Sequence, residues 1–282
     1  MKIGLVLEGG GLRASYTIGV LDCLMDRRVW TDYVIGVSAG ACHGASYVAR
    51  QRGRSRRINT NYVKDSRYIS LRNLITTGSL FGMDFMFNKI PKELEPFDYD
   101  TYLENPCDFV VGVTDINSGQ PVYFPKSSVT FEDSSVLQAS SSLPLVSKPV
   151  EYDGGLYMDG GIADPIPVKK AFEDGCDKVI VVLTRDRNFV KDPEGNEFAY
   201  RRAFRNYPKM TEAIANRHIV YTKTQDYLNE LEEQGKAFVL APEKPLTISR
   251  FETNLQKLDE VYQEGYMQTA AKMPQLCKFT KL

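Results

Sequence analysis

Two places where a short apolar run leads into a glycine-rich turn most constrain what this chain can fold into. One run, Ile3–Leu7, is followed by Glu8 and three glycines, and the other, Tyr33–Val37, leads into Ser38, Ala39 and Gly40. Continuous apolar runs are typical of strands buried on both faces, and glycines after a strand permit a tight turn into a helix. Each place therefore predicts a strand, a turn and a helix in a protein of the α/β class.

Further apolar runs extend this alternation along the chain. Strands are predicted at residues 109–113, 121–124, 157–158 and 178–183, and helices at residues 12–25, 165–174 and 210–234. This order favours a three-layer α/β/α sandwich with a mostly parallel central sheet. We expect one domain over residues 1–282, with the least regular part, residues 51–100, as a cap or lid insertion.

Composition and charge exclude several classes of function. A hydrophobic content of 43% is ordinary for a globular protein, and 35 basic against 36 acidic residues leave a net charge of −1, so we expect no nucleic-acid partner. The two histidines, His43 and His218, cannot fill a three-imidazole metal site, and we expect no metal and no organic cofactor. The five cysteines form no CxxC pair, and no signal-peptide core or long apolar stretch is present, which predicts a cytoplasmic protein.

The second turn, residues 36–40, has the sequence Gly-Val-Ser-Ala-Gly. In a strand-to-helix turn of this GxSxG type, small flanking residues let strand and helix approach closely and leave the serine hydroxyl exposed. The N-terminus of the following helix also favours the negative charge that develops during acyl transfer. We therefore predict that Ser38 is a nucleophile; the alternative is that it only caps the helix.

The first turn has the sequence Glu-Gly-Gly-Gly-Leu-Arg at residues 8–13. Consecutive glycines leave backbone N–H groups uncovered, which suits an oxyanion hole formed by Gly9, Gly10 and Gly11, with Arg13 holding the loop or adding positive potential. The alternative is a phosphate-binding turn, because residues 9–14 fit the loose GxGxxA pattern of a nucleotide-binding oxidoreductase. That fold needs an acidic residue after its second strand, and this chain has Ser38 there.

A third signal is Asp159, which lies between a predicted short strand and a Gly-Gly turn. An aspartate held by the main chain in this way suits a catalytic carboxylate, although Asp-Gly is also a common turn sequence. His43 lies on the helix after the GxSxG turn, where its side chain should point away from Ser38, and His218 lies in a long polar helix. A Ser-Asp pair is therefore favoured over a Ser-His-Asp triad.

These three motifs, with the intervening segment 138–155, resemble the patatin-like phospholipases, and the bacterial members in particular. The resemblance covers residues 2–182 and weakens over the more divergent part, residues 185–282. It implies a fold related to cytosolic phospholipase A2, a Ser-Asp dyad, and hydrolysis of fatty-acyl esters of phospholipids or related glycerolipids. A catalytically silent lipid-binding or regulatory protein of the same fold is the alternative.

Carried onto this chain, the resemblance implies that Ser38 is the nucleophile and Asp159 the base. It also implies an oxyanion hole at Gly9 to Gly11, with Arg13 at the basic position of the motif. The chain departs from the family pattern at Glu8, where aspartate is frequent, and at Val37, where threonine is frequent.

Residues 50–57 contain five arginines, and residues 80–87 are rich in phenylalanine and methionine. A basic cluster beside exposed aromatic side chains suits transient docking on an anionic membrane surface, for which Arg54, Arg56, Phe81, Phe85 and Phe87 are the candidates. The alternatives are that the arginines are solvated at a helix end and that residues 80–87 form a lid or an acyl-chain wall.

Overall fold

The computed structural model describes residues 1–281 and confirms the three-layer α/β/α fold with a mixed, mostly parallel sheet. The strands are β1 (Ile3–Leu7), β2 (Tyr33–Val37), β3 (Asp108–Asp115), β4 (Pro121–Pro125), β5 (Val150–Tyr152), β6 (Gly155–Asp159), β7 (Lys178–Val182) and β8 (Ala237–Leu240). The α-helices are α1 (Ser15–Asp26), α2 (Ala39–Val48), α3 (Arg54–Tyr62), α4 (Leu71–Thr77), α5 (Tyr99–Glu104), α6 (Ser135–Ser140), α7 (Val168–Glu173), α8 (Glu197–Ala203), α9 (Pro208–Glu233) and α10 (Leu255–Thr280). A π-helix (Phe85–Leu94) and single 3₁₀ turns (Gly11–Ala14, Lys126–Ser128, Gly160–Ile162) complete the regular structure of residues 1–281.

The helix predicted at residues 165–174 begins later than expected, at Val168. Each proline disfavours the helical conformation in the residue before it, so Pro165 and Pro167 keep Asp164 and Ile166 out of a helix. The helix starts directly after Pro167, which is its N-cap residue.

The centre of the sheet consists of the parallel strands β3, β2, β1, β7 and β8, in that spatial order. Apolar side chains alternate between the two faces of these strands. Leu5 and Leu7 of β1 pack with α1, α2 and α10, whereas Val6 packs with α7 and α9 on the opposite face. Each face is thus covered by helices, which is why the strands are apolar throughout.

The strands β2 and β6 lie end to end along one edge of β3. The antiparallel strand β4 pairs with residues 110–114 of β3 and so occupies one edge of it. Residues 108–112 of β3 pair with β2, and residues 113–115 pair with β6. Since a residue pairs with one strand on each edge, β2 and β6 must share the edge opposite β4. The end of β2 therefore meets the end of β6 near Gly112.

The helices α1 and α10 cross at two glycines. A side-chain carbon on Gly19 would lie 2.0 Å from the Tyr262 carbonyl oxygen, and one on Gly265 would lie 2.1 Å from the Tyr16 carbonyl oxygen. Only glycine permits this backbone contact. The C-terminal helix is thus packed directly against the helix that follows the glycine-rich turn.

Residues 51–100 contain α3, α4, the π-helix and the start of α5. Their apolar side chains are continuous with the larger core cluster on the α1 face. A cap or lid role for this segment stays a prediction. Among the helices of residues 1–281, none combines the length and apolar composition needed to cross a membrane.

Candidate active site

Ser38 lies at the turn between β2 and α2 in a strained backbone conformation. Its φ of 55° and ψ of −132° fall outside the regions that non-glycine residues ordinarily adopt. Such strain persists only where the surrounding structure enforces it, and it is concentrated at functional sites. The side chain makes no capping hydrogen bond to α2, so Ser38 is not a simple helix cap.

Two glycines make this sharp turn sterically possible. A side-chain carbon on Gly36 would lie 2.7 Å from the Ala41 amide nitrogen, and one on Gly40 would lie 2.5 Å from the Leu7 carbonyl oxygen. Any larger residue would push α2 away from β1 and β2. The GxSxG pattern therefore encodes the close approach of strand and helix.

Asp159 is the last residue of β6 and is only 2% exposed. Its Oδ1 accepts a hydrogen bond from the Gly161 amide at 2.8 Å, and Thr114 Oγ1 donates to its carbonyl oxygen at 2.8 Å. Its other carboxylate oxygen, Oδ2, is buried and has no hydrogen-bond partner of good geometry within residues 1–281. A buried carboxylate oxygen left open in this way is available to a reacting group.

The meeting of β2 and β6 brings Ser38 and Asp159 into one cleft. Val37 is the register partner of Gly112, and Asp159 is the partner of the next residue, Val113. Ser140 lies across this junction: its Oγ accepts from the Ser38 amide at 2.8 Å and donates to the Gly112 carbonyl at 2.7 Å. The backbone of Ser38 is thus tied to β3, the strand that pairs with the strand carrying Asp159.

Burial raises the pKa of Asp159 above its ordinary value. The positive charge of Arg217, the Ser38 hydroxyl and the Gly161 amide oppose this rise to a smaller extent. A carboxylate with a raised pKa is a better proton acceptor than a solvated one, which favours a role as general base.

The glycine-rich turn faces Ser38 directly. A side-chain carbon on Gly9 would lie 2.8 Å from Ser38 Cβ, and Gly11 has a φ of +56°, which favours glycine. The amides of Gly9, Gly10 and Gly11 donate to no acceptor in the described part of the chain. Unused N–H groups beside a serine are suited to bind an oxyanion.

Hydrogen bonds to the Glu8 carboxylate hold the glycine-rich turn in place. The carboxylate accepts hydrogen bonds from the Thr184 amide at 2.5 Å and from the Tyr221 hydroxyl at 2.9 Å. Thr184 Oγ1 also donates to the Gly9 carbonyl at 2.8 Å. The acidic residue that begins the motif therefore connects the turn to the end of β7 and to α9.

Ser38 lies between a polar cleft and an apolar chamber. The polar cleft is lined by Asp159, the glycine-rich turn and several cationic side chains. The first apolar chamber is lined by Ser38 and, among others, by Leu12, Tyr68, Phe81, Met83, Met86 and Leu143. A second apolar chamber shares Tyr68 and Met86 with the first and extends to Phe87 and Ile90 of the π-helix.

Arg13 is buried beside the polar cleft, and its Nε has no hydrogen-bond partner within residues 1–281. Burial and the nearby charges of Arg185 and Arg250 lower its pKa to about 10. The guanidinium therefore stays charged at neutral pH and adds positive potential to the cleft.

Neither histidine is hydrogen-bonded to Ser38 or Asp159. His43 lines both apolar chambers, and its Nδ1 forms a hydrogen bond with Ser55 Oγ at 3.1 Å. Burial, followed by the charge of Arg54, lowers the pKa of His43 to about 4. His218 lies on α9, with its Nδ1 2.9 Å from the Ala215 carbonyl oxygen.

No group of three or more potential metal ligands is found in residues 1–281.

The arginines proposed for membrane docking have intramolecular partners. Arg54 is 7% exposed and donates to the Glu95 carbonyl at 2.9 Å and to Ser46 Oγ at 3.2 Å. Arg56 pairs with Asp259 at 2.6 Å. A buried guanidinium held by carbonyl and hydroxyl oxygens is a structural element rather than a free surface charge.

The aromatic residues of the same prediction, Phe81, Phe85 and Phe87, are buried. Phe81 lines the first apolar chamber and Phe87 the second, while Phe85 packs on Tyr62. Their burial favours the acyl-wall alternative, and contact with a membrane stays a prediction.

Several residues of the site have no signal in the sequence. Ser140 holds the Ser38 amide, but it lies in a run of serines whose members look alike. Arg217 donates to the Gly161 carbonyl at 2.6 Å from α9, and Arg185 and Arg250 line the polar cleft from two separate loops. Single arginines so far apart in sequence form no local pattern, so only the fold reveals them.

Comparison with known proteins divides the chain into two matching segments. Residues 5–172 match the model of the patatin-like phospholipases, and residues 207–281 match a domain of unknown function, DUF6363. The uncharacterised protein YjjU of Escherichia coli is 26% identical over 274 residues, which are 94% of this chain and 75% of that protein.

A lysophospholipase nte1 of Aspergillus oryzae is 26% identical over 285 residues, 94% of this chain but only 17% of the fungal protein. An uncharacterised NTE family protein of Mycobacterium tuberculosis is 24% identical over 181 residues, 64% of this chain and 48% of that protein. Among solved structures, VipD of Legionella pneumophila covers 96% of this chain and 66% of its own, with 16% identity and a TM-score of 0.48.

Proposed function

Because the chain belongs to the patatin-like phospholipase family, we propose that it hydrolyses fatty-acyl esters of glycerolipids with Ser38 as nucleophile and Asp159 as general base. The observation that carries this proposal is one cleft that contains a strained serine beside a buried carboxylate oxygen and three glycine amides, for which residues 1–281 supply no hydrogen-bond partner of good geometry. These are the nucleophile, base and oxyanion donors that acyl transfer requires.

In the first half of the reaction, Asp159 accepts the proton of the Ser38 hydroxyl as its oxygen attacks the ester carbonyl carbon. The amides of Gly9, Gly10 and Gly11 donate to the oxyanion of the tetrahedral intermediate. Collapse of this intermediate breaks the ester bond, and the proton held by Asp159 passes to the departing alcohol. The acyl group remains on Ser38 as an ester.

In the second half, a water molecule in the polar cleft gives a proton to Asp159 and attacks the acyl carbonyl. The same glycine amides bind the second oxyanion, and the fatty acid leaves as Ser38 recovers its proton from Asp159. The raised pKa of Asp159 supports both transfers, because the proton then moves to a stronger base than a solvated carboxylate.

The two apolar chambers support a fatty-acyl substrate. They share side chains, and the first is lined by Ser38, so an acyl chain bound there would place its carbonyl at the hydroxyl. Their lining is mainly aliphatic, aromatic and methionine side chains, which suits a flexible hydrocarbon. In this arrangement Phe81 and Phe87 form part of the acyl-chain wall.

The test is labelling by a fluorophosphonate probe together with hydrolysis of short-chain 4-nitrophenyl esters. We expect labelling of the wild type, none of Ser38→Ala, and a loss of about 10³-fold or more in kcat for Asp159→Asn. The matched control is Asp164→Asn, which removes another carboxylate of the same region. Asp164 is held by the Tyr123 hydroxyl at 2.6 Å and does not line the cleft.

Undiminished turnover in Ser38→Ala would refute the nucleophile, and wild-type turnover in Asp159→Asn would refute the base. A folded wild-type protein that neither reacts with the probe nor hydrolyses esters would support the catalytically silent alternative.

A further inference from the structure

The polar cleft beside Ser38 contains more positive than negative charge. Five cationic side chains line it, Arg13, Arg185, Lys191, Arg217 and Arg250, together with two carboxylates, Glu8 and Asp159. Glu8 is already engaged by Thr184 and Tyr221. In a chain whose net charge is −1, this concentration is local and is available to a ligand in the cleft.

Two of the five cations are used within the protein. Arg217 donates to the Gly161 carbonyl at 2.6 Å and to Glu194 at 3.2 Å, and Lys191 pairs with Glu194 at 2.7 Å. Arg217 holds the turn after Asp159, and both side chains share the single carboxylate of Glu194.

The other three cations, Arg13, Arg185 and Arg250, have no ion pair and donate no side-chain hydrogen bond within residues 1–281. Arg185 stacks on the Phe189 ring at 4.3 Å, which orients the guanidinium without neutralising it. Arg13 and Arg250 have lowered pKa values, chiefly because of burial, and the three arginines repel one another. Buried and half-buried guanidinium groups that have no counter-ion within the protein are stabilised when an anion binds to them.

We propose that Arg13, Arg185 and Arg250 form a subsite for a phosphate group carried by the head group of the lipid substrate. This inference rests on the proposed acyl hydrolase function and narrows it to anionic, phosphate-bearing glycerolipids. The planar, charged guanidinium group fits phosphate oxygens better than any other side chain.

The position of Ser38 supports this orientation of the substrate. Ser38, Gly11 and Leu143 line both the polar cleft and the first apolar chamber, so the serine stands where the two spaces meet. A glycerolipid with its acyl chain in the apolar chamber would have its glycerol at Ser38 and its phosphate in the polar cleft.

Two of the three arginines lie outside the segment that matches the patatin-like model. Arg185 follows β7, and Arg250 lies between β8 and α10, whereas the match ends at residue 172. The Arg250 carbonyl accepts a hydrogen bond from the Leu12 amide at 3.1 Å, which fixes its loop against the glycine-rich turn. The C-terminal half of the chain therefore supplies two of the three arginines of the proposed subsite.

The experiment compares two soluble esters that differ only in the phosphate, 1-hexanoylglycerol 3-phosphate and 1-hexanoylglycerol. We expect the wild type to prefer the phosphate ester in kcat/KM. Arg185→Gln and Arg250→Gln should each lower this preference about ten- to a hundredfold, mainly through KM, because each loses a charged hydrogen bond to phosphate.

The matched control is Arg187→Gln, which should keep the wild-type preference. Arg187 is two residues from Arg185, but it donates to Asn229 and Glu232 on α9 and does not line the cleft. A wild type without preference, or glutamine variants that slow both esters equally, would overturn the subsite.

Inorganic phosphate distinguishes a head group from a free anion. If the subsite holds the head group, phosphate should compete with the phosphate ester and leave hydrolysis of 1-hexanoylglycerol unchanged. Stimulation of the neutral ester by phosphate would instead identify a free anion as the occupant and overturn the assignment.

Binding to the Ser38→Ala variant separates this inference from the proposed function. If the wild type hydrolyses neither ester, the hydrolase proposal fails. Calorimetric binding of 1-hexanoylglycerol 3-phosphate that is weakened about tenfold or more by Arg250→Gln would still support the subsite. Equal binding of both esters would refute it.

Discussion

Removal of the Ser140 hydroxyl should loosen the turn that carries Ser38. Ser140 is fully buried, and its Oγ accepts from the Ser38 amide at 2.8 Å and donates to the Gly112 carbonyl at 2.7 Å. In Ser140→Ala the Ser38 amide loses its partner, at a cost of about 1–3 kcal/mol, and the bond to Gly112 contributes about 1 kcal/mol more. We expect the free energy of unfolding to fall by about 2–4 kcal/mol.

The same change should slow the reaction of Ser38. Its φ of 55° stores about 1–3 kcal/mol of strain, which the contact with Ser140 helps to hold. If relaxation of the turn raises the activation free energy for the reaction of Ser38 by about 1.4 kcal/mol, labelling by a fluorophosphonate should slow about tenfold.

Denaturant unfolding and labelling rates measure the two effects, with Ser142→Ala as the control. Ser142 loses only a hydrogen bond from its Oγ to the Gln138 carbonyl, and its own carbonyl still accepts from the Asp159 amide. The reasoning fails if Ser140→Ala is as stable as Ser142→Ala and its Ser38 reacts at the wild-type rate.

Four further changes test other parts of the structure. Ser38→Gly should be about 1 kcal/mol more stable than Ser38→Ala in denaturant unfolding, because glycine adopts a φ of 55° without strain; equal stabilities would argue against a strained turn. Burial raises the pKa of Asp159, so the folded state binds its proton more tightly than the unfolded state, and this contribution to stability is lost as pH rises through the raised pKa. The stability of Asp159→Asn relative to the wild type should therefore grow from pH 4 to pH 7, and a constant difference would contradict the raised pKa. Burial lowers the pKa of His43 to about 4, so the unfolded chain takes up a proton between pH 6.5 and 4 that the folded chain does not. Over that range the free energy of unfolding of the wild type should fall by up to about 3 kcal/mol more than that of His43→Gln. Parallel stability profiles of the two proteins would contradict the lowered pKa. If the protein docks on anionic membranes, Arg56→Glu should weaken sedimentation with phosphatidylserine vesicles relative to Lys209→Glu, a control on α9, and equal binding of the two variants would remove the docking prediction.

Local patterns were sufficient to predict the elements that carry the motifs. β1 and β2 have the predicted bounds, and β3 and β4 contain the strands predicted at residues 109–113 and 121–124. Each of these features depends on a few neighbouring residues, such as an apolar run or a glycine after a strand. The family and the fold class followed from motifs of the same kind.

The relation of Asp159 to Ser38 could not be derived from such patterns. It depends on β2 and β6 sharing one edge of β3, which is a long-range pairing between strands far apart in sequence. The motifs and the family resemblance both indicated Ser38 and Asp159, but the sequence held no sign that Ser140 ties the Ser38 amide to Gly112.

The arginine-rich segment shows that a sequence pattern does not predict which charged side chains are exposed. Five arginines in residues 50–57 suggest a solvated surface, but Arg54 is buried by contacts with Ser46 and the Glu95 carbonyl. Whether a charge is free depends on the acceptors that the fold brings to it, and these lie elsewhere in the chain. For the same reason, Arg185 and Arg250 were not predicted as residues of the cleft, whereas Arg13 was predicted from its motif.

The hydrogen bond between the Leu12 amide and the Arg250 carbonyl joins the two matched segments of the chain at the glycine-rich turn. A fragment that stopped at residue 172 would keep Ser38 and Asp159 but would lack Arg185, Tyr221 and Arg250. If Arg250 binds the head group as proposed, a substitution in its loop would change the preferred lipid and leave Ser38 and Asp159 in place. That loop is therefore the position at which substrate preference can be redesigned separately from the reaction chemistry.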